Sequence, residues 1–291
     1  MPPVLYCCDP LNPRRVDEHF ALEAQEVRAR GGEVALIDHD LLLRGDADAA
    51  VARVPSGLQS AWYRGWMMPS ARYAELAAAL SRRGAALIVD PGRYRAAHEL
   101  PGWYPTFAEV TPASVWRPTR PGEVVAADEL TELVQPLPPG PGIVKDYVKS
   151  RKDEWHQACF IPDLTESAGL TRIVRRFVEL QEDYLAGGIV VRAFETFARR
   201  ESVAAEVRVW WFDGEPRLLT PHPDSPFDRG LAPGLEQIAA AVRRLGCRFI
   251  TTDVALRTDG VWRVVEVGDA QVSDLHRSSS RDEFVALLID S

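Results

Sequence analysis

The chain has 291 residues, 46% of them hydrophobic, and a net charge of −8. That is too apolar for a disordered chain, and too acidic for a nucleic-acid binder without a local basic patch. No apolar run approaches the roughly 20 residues of a membrane span, and the start, Met1-Pro-Pro-Val-Leu-Tyr6, lacks the basic region of a secretory signal, so a soluble cytoplasmic protein is expected.

In chain order, Val4–Cys8 reads as a short strand stopped by Asp9-Pro10. Asp17–Arg30 carries Phe20, Ala24 and Val27 at helical spacing and ends at Gly31-Gly32. Strands are expected at Glu33–Ile37, at the aromatic-rich Ser60–Met67 and at Ala85–Val89, with a helix over Ser70–Arg83. Strand-helix alternation of this kind predicts a small parallel α/β domain, 1–115. The proline- and glycine-rich stretch 116–141, with one short helical pattern at Ala126–Val134, reads as a linker. The remainder, 142–291, reads as an α+β domain. Its first part, 142–197, holds a strand at Ile143–Val148, an amphipathic helix at Thr165–Tyr184 and a strand at Ile189–Phe197. Its second part, 198–291, holds a hairpin turning at Asp213-Gly214, a helix at Leu231–Leu245 and a second hairpin turning at Asp259-Gly260.

Several chemistries lack their residues. GxxxxGK[ST], GxGxxG after a strand, HExxH and GxSxG are all missing. Cys7, Cys8, Cys159 and Cys247 form no CxxC pair and read as small apolar fillers.

Charged residues inside apolar strands of the second half stand out instead: Lys145, Arg192, Arg208, Asp253 and Glu266, with Asp269 just past the last strand. A charge there is costly unless it is paired, solvated or bound to a ligand. Cations suit phosphate oxygens and carboxylates suit Mg²⁺, so the set fits a nucleotide triphosphate site. Asp253 and Glu266 lie on the two arms of one hairpin, a candidate magnesium clamp, and Asp269 can add a third oxygen. Lysine usage points the same way. Of 34 basic residues the only lysines are Lys145, Lys149 and Lys152, as expected if a compact ammonium is wanted in that one segment.

The ordered set resembles the ATP-grasp superfamily, and within it the clade named for two arginines and a lysine. The resemblance rests on Val144–Trp155, Gly188–Phe194, Glu206–Val209, Thr252–Ala255 and Val265–Ser273, with Tyr63-Arg-Gly-Trp-Met67 similar to a pre-ATP-grasp domain. It implies an α/β pre-ATP-grasp domain followed by an α+β ATP-grasp domain, with 142–197 as lid subdomain and 198–291 as metal and phosphate subdomain. It implies that Lys145 touches the ATP phosphates, with Lys149 and Lys152 as further ATP-binding candidates. The hinge Arg192-Ala193-Phe194-Glu195 holds adenine and ribose, Arg208 braces the transferring phosphoryl group, and Asp253 and Glu266 hold Mg²⁺. The pattern departs from the wider superfamily at Gly268, which stands where asparagine is usual, and at Arg192, where an acidic residue is common.

The implied activity is an ATP- and magnesium-dependent ligase that forms an amide bond between a carboxylate and an amine through an acyl phosphate. Both partners are small molecules or peptides, not nucleic acid or membrane, and a homodimer is left open. Ser150–Trp155 would belong to a closing lid. Arg64, among Trp62, Tyr63 and Trp66, is a candidate anchor for the substrate carboxylate, or else braces those aromatics; Gln271 and Ser273 are further substrate candidates. Two rivals are a nucleotidyl-transferring ligase with an adenylate on Lys145 and a non-catalytic ATP-binding regulatory module.

Overall fold

The computed structural model describes residues 1–200, 203–226 and 231–290. The first third alternates strand and helix as expected. Strands β1 (Val4–Cys7), β2 (Val34–Ile37), β3 (Gln59–Arg64) and β4 (Ala85–Leu87) form a parallel sheet in the order β2-β1-β3-β4. Helices Ala21–Ala29 and Ser70–Arg82 supply the crossovers that parallel pairing needs.

The next sheet orders β5 (Ser114–Pro118), β6 (Gly142–Asp146), β7 (Phe160–Ile161) and β8 (Gly188–Ala193) as β5-β8-β6-β7, antiparallel throughout. The stretch 116–141 is therefore not a plain linker. It begins inside β5, which pairs with β8 from Ser114↔Arg192 to Pro118↔Gly188, and it contains the helix Ala127–Val134. Gly188 permits this approach, because a β-carbon there would collide with the Arg117 carbonyl. Helix Ser167–Gln181 buries Leu170, Ile173, Val174, Phe177 and Val178, the spacing of one helical face, against a core that includes Val144, Ile161, Ile189 and Val191.

Short strands β9 (Arg199–Arg200) and β10 (Val203–Ala204) precede the last sheet. There β11 (Glu206–Phe212), β12 (Glu215–Pro221), β13 (Phe249–Leu256) and β14 (Trp262–Asp269) order as β12-β11-β13-β14. The β11–β12 turn has φ of 49° at Asp213 and 81° at Gly214, the left-handed pair that a two-residue hairpin turn requires. Helix Glu236–Leu245 ends at Gly246 with φ 66°, and the chain closes on helix Arg281–Ile289.

Two compact units result, and they interleave along the chain. The first takes Met1–Ala97, Glu206–Asp253 and Glu266–Ser291; the second takes His98–Ala205 and Val254–Val265. The division falls at His98, earlier than the expected 115/116, and the parallel sheet shares a unit with most of the last sheet. Aromatic packing inside the first unit explains this. Trp62 of β3 lies 5.9 Å from Phe212 and 5.8 Å from Phe249, and Trp210 lies 5.0 Å from Phe284 of the closing helix. Each large side chain buried this way contributes about 2–3 kcal/mol of transfer free energy. The four cysteines are free and buried, as fillers should be. Among the described residues no helix is long and apolar enough to cross a membrane.

Candidate active site

In the second unit, β6 carries Lys145 into a buried position, 6% exposed, where its Nζ donates to the Val148 carbonyl at 3.0 Å. Asp146 shapes the turn that follows. Its Oδ1 accepts from the N–H groups of Val148 and Lys149 at 2.7 and 2.5 Å, and its Oδ2 from Gln181 Nε2 at 2.7 Å. The turn closes with Lys145 bridging to Ser150, which leaves Lys149 and Lys152 exposed. The expected lysine cluster thus divides into one buried ammonium and two solvent-facing ones. His98 packs by them. Burial, then the charges of Lys149 and Lys145, push its imidazole pKa down to about 4. Neither His98 nor Asp146 belongs to the set of residues expected from the sequence.

The expected hinge is heavily committed. Arg192 donates from Nε to Ser114 Oγ at 3.0 Å and from Nη1 to the Val265 carbonyl at 2.6 Å, and stacks 5.7 Å from the Trp103 ring. The N–H groups of Ala193 and Phe194 donate to Ala113 and Pro141 at 2.8 and 2.9 Å. Phe194 is exposed and packs edge-on against Trp155 and Phe160. Glu195 is held by Arg263, 3.0 Å at both oxygens, with Arg257 3.5 Å away. Its contact with a ribose would require it to leave those arginines.

In the first unit, Arg208 on β11 meets Asp253 on β13 with Nε to Oδ1 and Nη2 to Oδ2 both at 2.8 Å. The side chains are 11% and 3% exposed, and Nη1 donates to the Asp274 carbonyl at 3.0 Å. Burial opposes the guanidinium charge, but Asp253, then Glu266 and Asp274, outweigh it and hold the Arg208 pKa above its ordinary value. Glu266, half-buried, is therefore close enough to act on Arg208 electrostatically.

A group that could hold a cation forms around Asp253 with two residues outside the expected set. Ligand atoms of Glu206, His222 and Asp253 all lie within 4.8 Å of one another. His222 Nε2 is 3.7 Å from Asp253 Oδ2, while the Asp224 N–H donates to Nδ1 at 3.2 Å. Glu206 was legible, since it precedes Arg208 by two residues on one strand and so shares its face. His222 lies beyond β12 with no spacing signal. Carboxylate oxygens of Asp253 and Glu206 are the hard donors that Mg²⁺ selects, so the chemistry of this group suits the metal.

Asp269 has a different task from the metal ligation expected of it. It is fully buried and caps the turn Ala270–Val272; Oδ1 accepts from the Gln271 N–H at 2.9 Å and from Gln271 Nε2 at 3.0 Å. Its Oδ2 has no hydrogen-bond partner among the described residues. Burial raises its pKa to about 7, against the Gln271 hydrogen bonds, which lower it. Arg64 likewise presents no face to a substrate. It is 0% exposed, binds Glu23 through Nε and Nη2 at 2.7 and 2.8 Å, and reaches the carbonyls of Gln271 and Ser273 at 3.1 and 2.8 Å. Gln271 is spent on the Tyr63 N–H at 3.2 Å and the Tyr73 hydroxyl at 3.1 Å, and Ser273 on Thr251 at 2.8 Å. Of the expected substrate residues, none has a free face.

A family model for the ATP-grasp domain, family 3 of the clade named for two arginines and a lysine, matches residues 134–288. Solved structures agree in fold over nearly the whole chain. The D-cycloserine synthetase DcsG is 14% identical, covers 99% of this chain and 98% of its own, and superposes with a TM-score of 0.63. A RimK domain ATP-grasp protein from Sphaerobacter thermophilus is 14% identical, covering 98% and 99%, with a TM-score of 0.58. The ATP-grasp ligase PsnB, solved with a minimal precursor, is 15% identical, covering 100% and 99%, with a TM-score of 0.57. At these identities the likeness is one of fold. No curated protein matches the sequence.

Proposed function

We propose that this chain, which belongs to the ATP-grasp family as a member of the third family in the two-arginine, one-lysine clade, is an ATP-dependent carboxylate–amine ligase working through an acyl phosphate. The observation that carries the reading is the buried pairing of Arg208 with Asp253, with Glu266 close enough to act on the same guanidinium. The pairing supports a reading in which a cation suited to bracing a phosphoryl group lies by carboxylates suited to magnesium.

In the first step a carboxylate oxygen attacks the γ-phosphorus of ATP. An O–P bond forms, the β–γ bridge breaks and ADP departs. The amine then attacks the acyl carbon, the C–O bond to phosphate breaks, and the amine gives up a proton as the amide forms. Lys145 neutralises phosphate oxygens from β6, its position fixed by the Asp146 turn; Lys149 and Lys152 reach them from solvent-facing positions. Arg208 exchanges part of its Asp253 pairing for oxygens of the transferring group, where charge develops. The 192–195 hinge lines the base, with Phe194 offering an apolar face. Asp253 and Glu266 would hold magnesium, which when bound would offset the negative charge of the phosphates. Because an acyl phosphate hydrolyses readily, Ser150–Trp155 closes over it. The enzyme acts in the cytoplasm; sedimentation at several concentrations tests for a homodimer.

Substrate classes to screen include small amino acids and peptides, since the similar folds include a D-cycloserine synthetase and a ligase solved with a precursor peptide. The test is ADP release over paired carboxylates and amines, followed by the productive carboxylate labelled with ¹⁸O. Label recovered in orthophosphate supports the acyl phosphate. Label recovered in AMP would replace it with an acyl adenylate, and label on the protein from α-labelled ATP would point to a lysine adenylate.

A further inference from the structure

A groove of about 890 Å³ runs along the solvent face of helix Ser167–Gln181 in the second unit, flanked by the start of helix Ala127–Val134 and by the turn at 155–159. Arg172, Arg175 and Arg176 line it, with His156 and Gln157 on the opposite side. Three arginines within five residues are a marked concentration of charge in a chain whose net charge is −8. Arg176 pairs with Glu179 at 3.1 Å, while Arg172 and Arg175 are exposed. The helix N-terminus does not supply the positive character, because the Glu166 carboxylate already accepts from the N–H groups of Ala168 and Gly169.

A second feature points to a ligand. Thr171 lines the groove, is only 8% exposed, and its hydroxyl has no hydrogen-bond partner among the described residues. A helical threonine ordinarily bonds back to the carbonyl three or four residues earlier. Leaving a buried hydroxyl unmade costs about 1–3 kcal/mol unless something else satisfies it.

We propose that this groove is a docking site for an extended acidic peptide segment. Residues four apart on the helix, as at Arg172 and Arg176, are separated by about 6 Å along its axis. In an extended chain, side chains on one face recur every ~6.6 Å. Alternate carboxylates of such a peptide therefore meet Arg172 and Arg176 in register, with Arg175 beside them, while its backbone offers a carbonyl to Thr171 and further groups for Gln157. Nucleic acid fits less well. Among the described residues no Phe, Tyr or Trp lines the groove for a base to stack on, His156 being its one ring.

The test uses the full chain and a fluorescein-labelled ten-residue peptide alternating Glu and Ser, with a Gln/Ser peptide as control, read by fluorescence anisotropy at low salt. The Glu peptide should bind about ten-fold or more tighter than the Gln peptide, as expected for two or three exposed ion pairs, and should weaken as salt rises. Arg172→Glu combined with Arg175→Glu should abolish binding with ATP affinity unchanged. Thr171→Val, nearly isosteric, removes the unpartnered hydroxyl and should weaken binding several-fold without lowering the melting temperature. Equal binding of the two peptides, no binding by either, or wild-type affinity in the double-arginine variant would each overturn the proposal. So would tighter binding of a single-stranded oligonucleotide of equal charge, or full displacement by millimolar inorganic phosphate. The site is independent of the ATP chemistry, so either can fail alone.

Discussion

Arg208 grips Asp253 through two parallel hydrogen bonds of 2.8 Å in a largely buried setting. The carboxylate proposed to hold magnesium is thus also the partner of a buried guanidinium. Removing one member of such a pair strands the other, at about 3 kcal/mol or more. Asp253→Asn should therefore lose turnover and also melt roughly 6–12 °C lower. Glu266→Gln should lose turnover at an unchanged melting temperature, since no ion pair of Glu266 is made among the described residues beyond its action on Arg208. Calorimetry with ADP release at limiting Mg²⁺ separates the two. Wild-type turnover in Glu266→Gln would remove that residue from the metal site.

Lysine identity is the sharpest test of the nucleotide site. Lys145 is buried, and its Nζ donates to the Val148 carbonyl, a setting that suits a compact charge. A guanidinium is longer and planar and cannot take that place. Lys145→Arg should lose ATP affinity nearly as completely as Lys145→Ala, whereas Lys149→Arg and Lys152→Arg, both at exposed positions, should stay within about three-fold of wild type. Nucleotide titration of all four variants decides it; normal affinity in Lys145→Arg would mean the clustering of lysines is an accident of composition.

The β11–β12 hairpin was legible because Asp213-Gly214 dictates its turn, and the helix 167–181 because its apolar residues recur on one face. Strand β5 was hidden by the prolines around it, Pro112 and Pro118, and by pairing to a partner some 75 residues away, which no local pattern records. Helices Pro91–His98 and Leu100–Phe107 were obscured by Pro91, Gly92, Pro101, Gly102 and Pro105, residues that ordinarily break helices. The strand charges single out β6, β8, β11, β13 and β14 but say nothing of the company their side chains keep. Arg64 and Asp269 sit in suitable places for chemistry and are turned inward, because their partners Glu23 and Gln271 arrive from 41 residues back and two residues on. His222 reaches Asp253 only through the fold.

Arg64 should prove structural. With Glu23 on one side and two carbonyls on the other, its guanidinium satisfies both in a fixed fork that lysine cannot match. Arg64→Lys is expected to cost about 2–4 kcal/mol of stability, with KM for the carboxylate unchanged in the protein that remains folded. A raised KM at an unchanged melting temperature would restore Arg64 as a substrate anchor.

Asp269 makes a pH-dependent contribution whose sign is fixed by its burial. Its folded pKa is raised from 3.8 to about 7. Between those values the folded protein keeps a proton that the unfolded chain has released, so stability falls as pH rises. The contribution is complete below pH 4 and is lost as pH passes through about 7, by an amount on the order of a few kcal/mol. Above that pH the carboxylate is ionised with Oδ2 lacking a partner among the described residues, the costly state. Asp269→Asn has no proton to lose. Urea unfolding of both proteins at pH 5 and pH 8 isolates the effect, because every other titrating group cancels in the difference between them. The variant should gain on the wild type by about 2 kcal/mol or more between pH 5 and pH 8. A difference that stays constant across that range would place the Asp269 pKa below 5 and its ionised form in the folded protein at neutral pH, which would return it to consideration as an oxygen ligand for the metal.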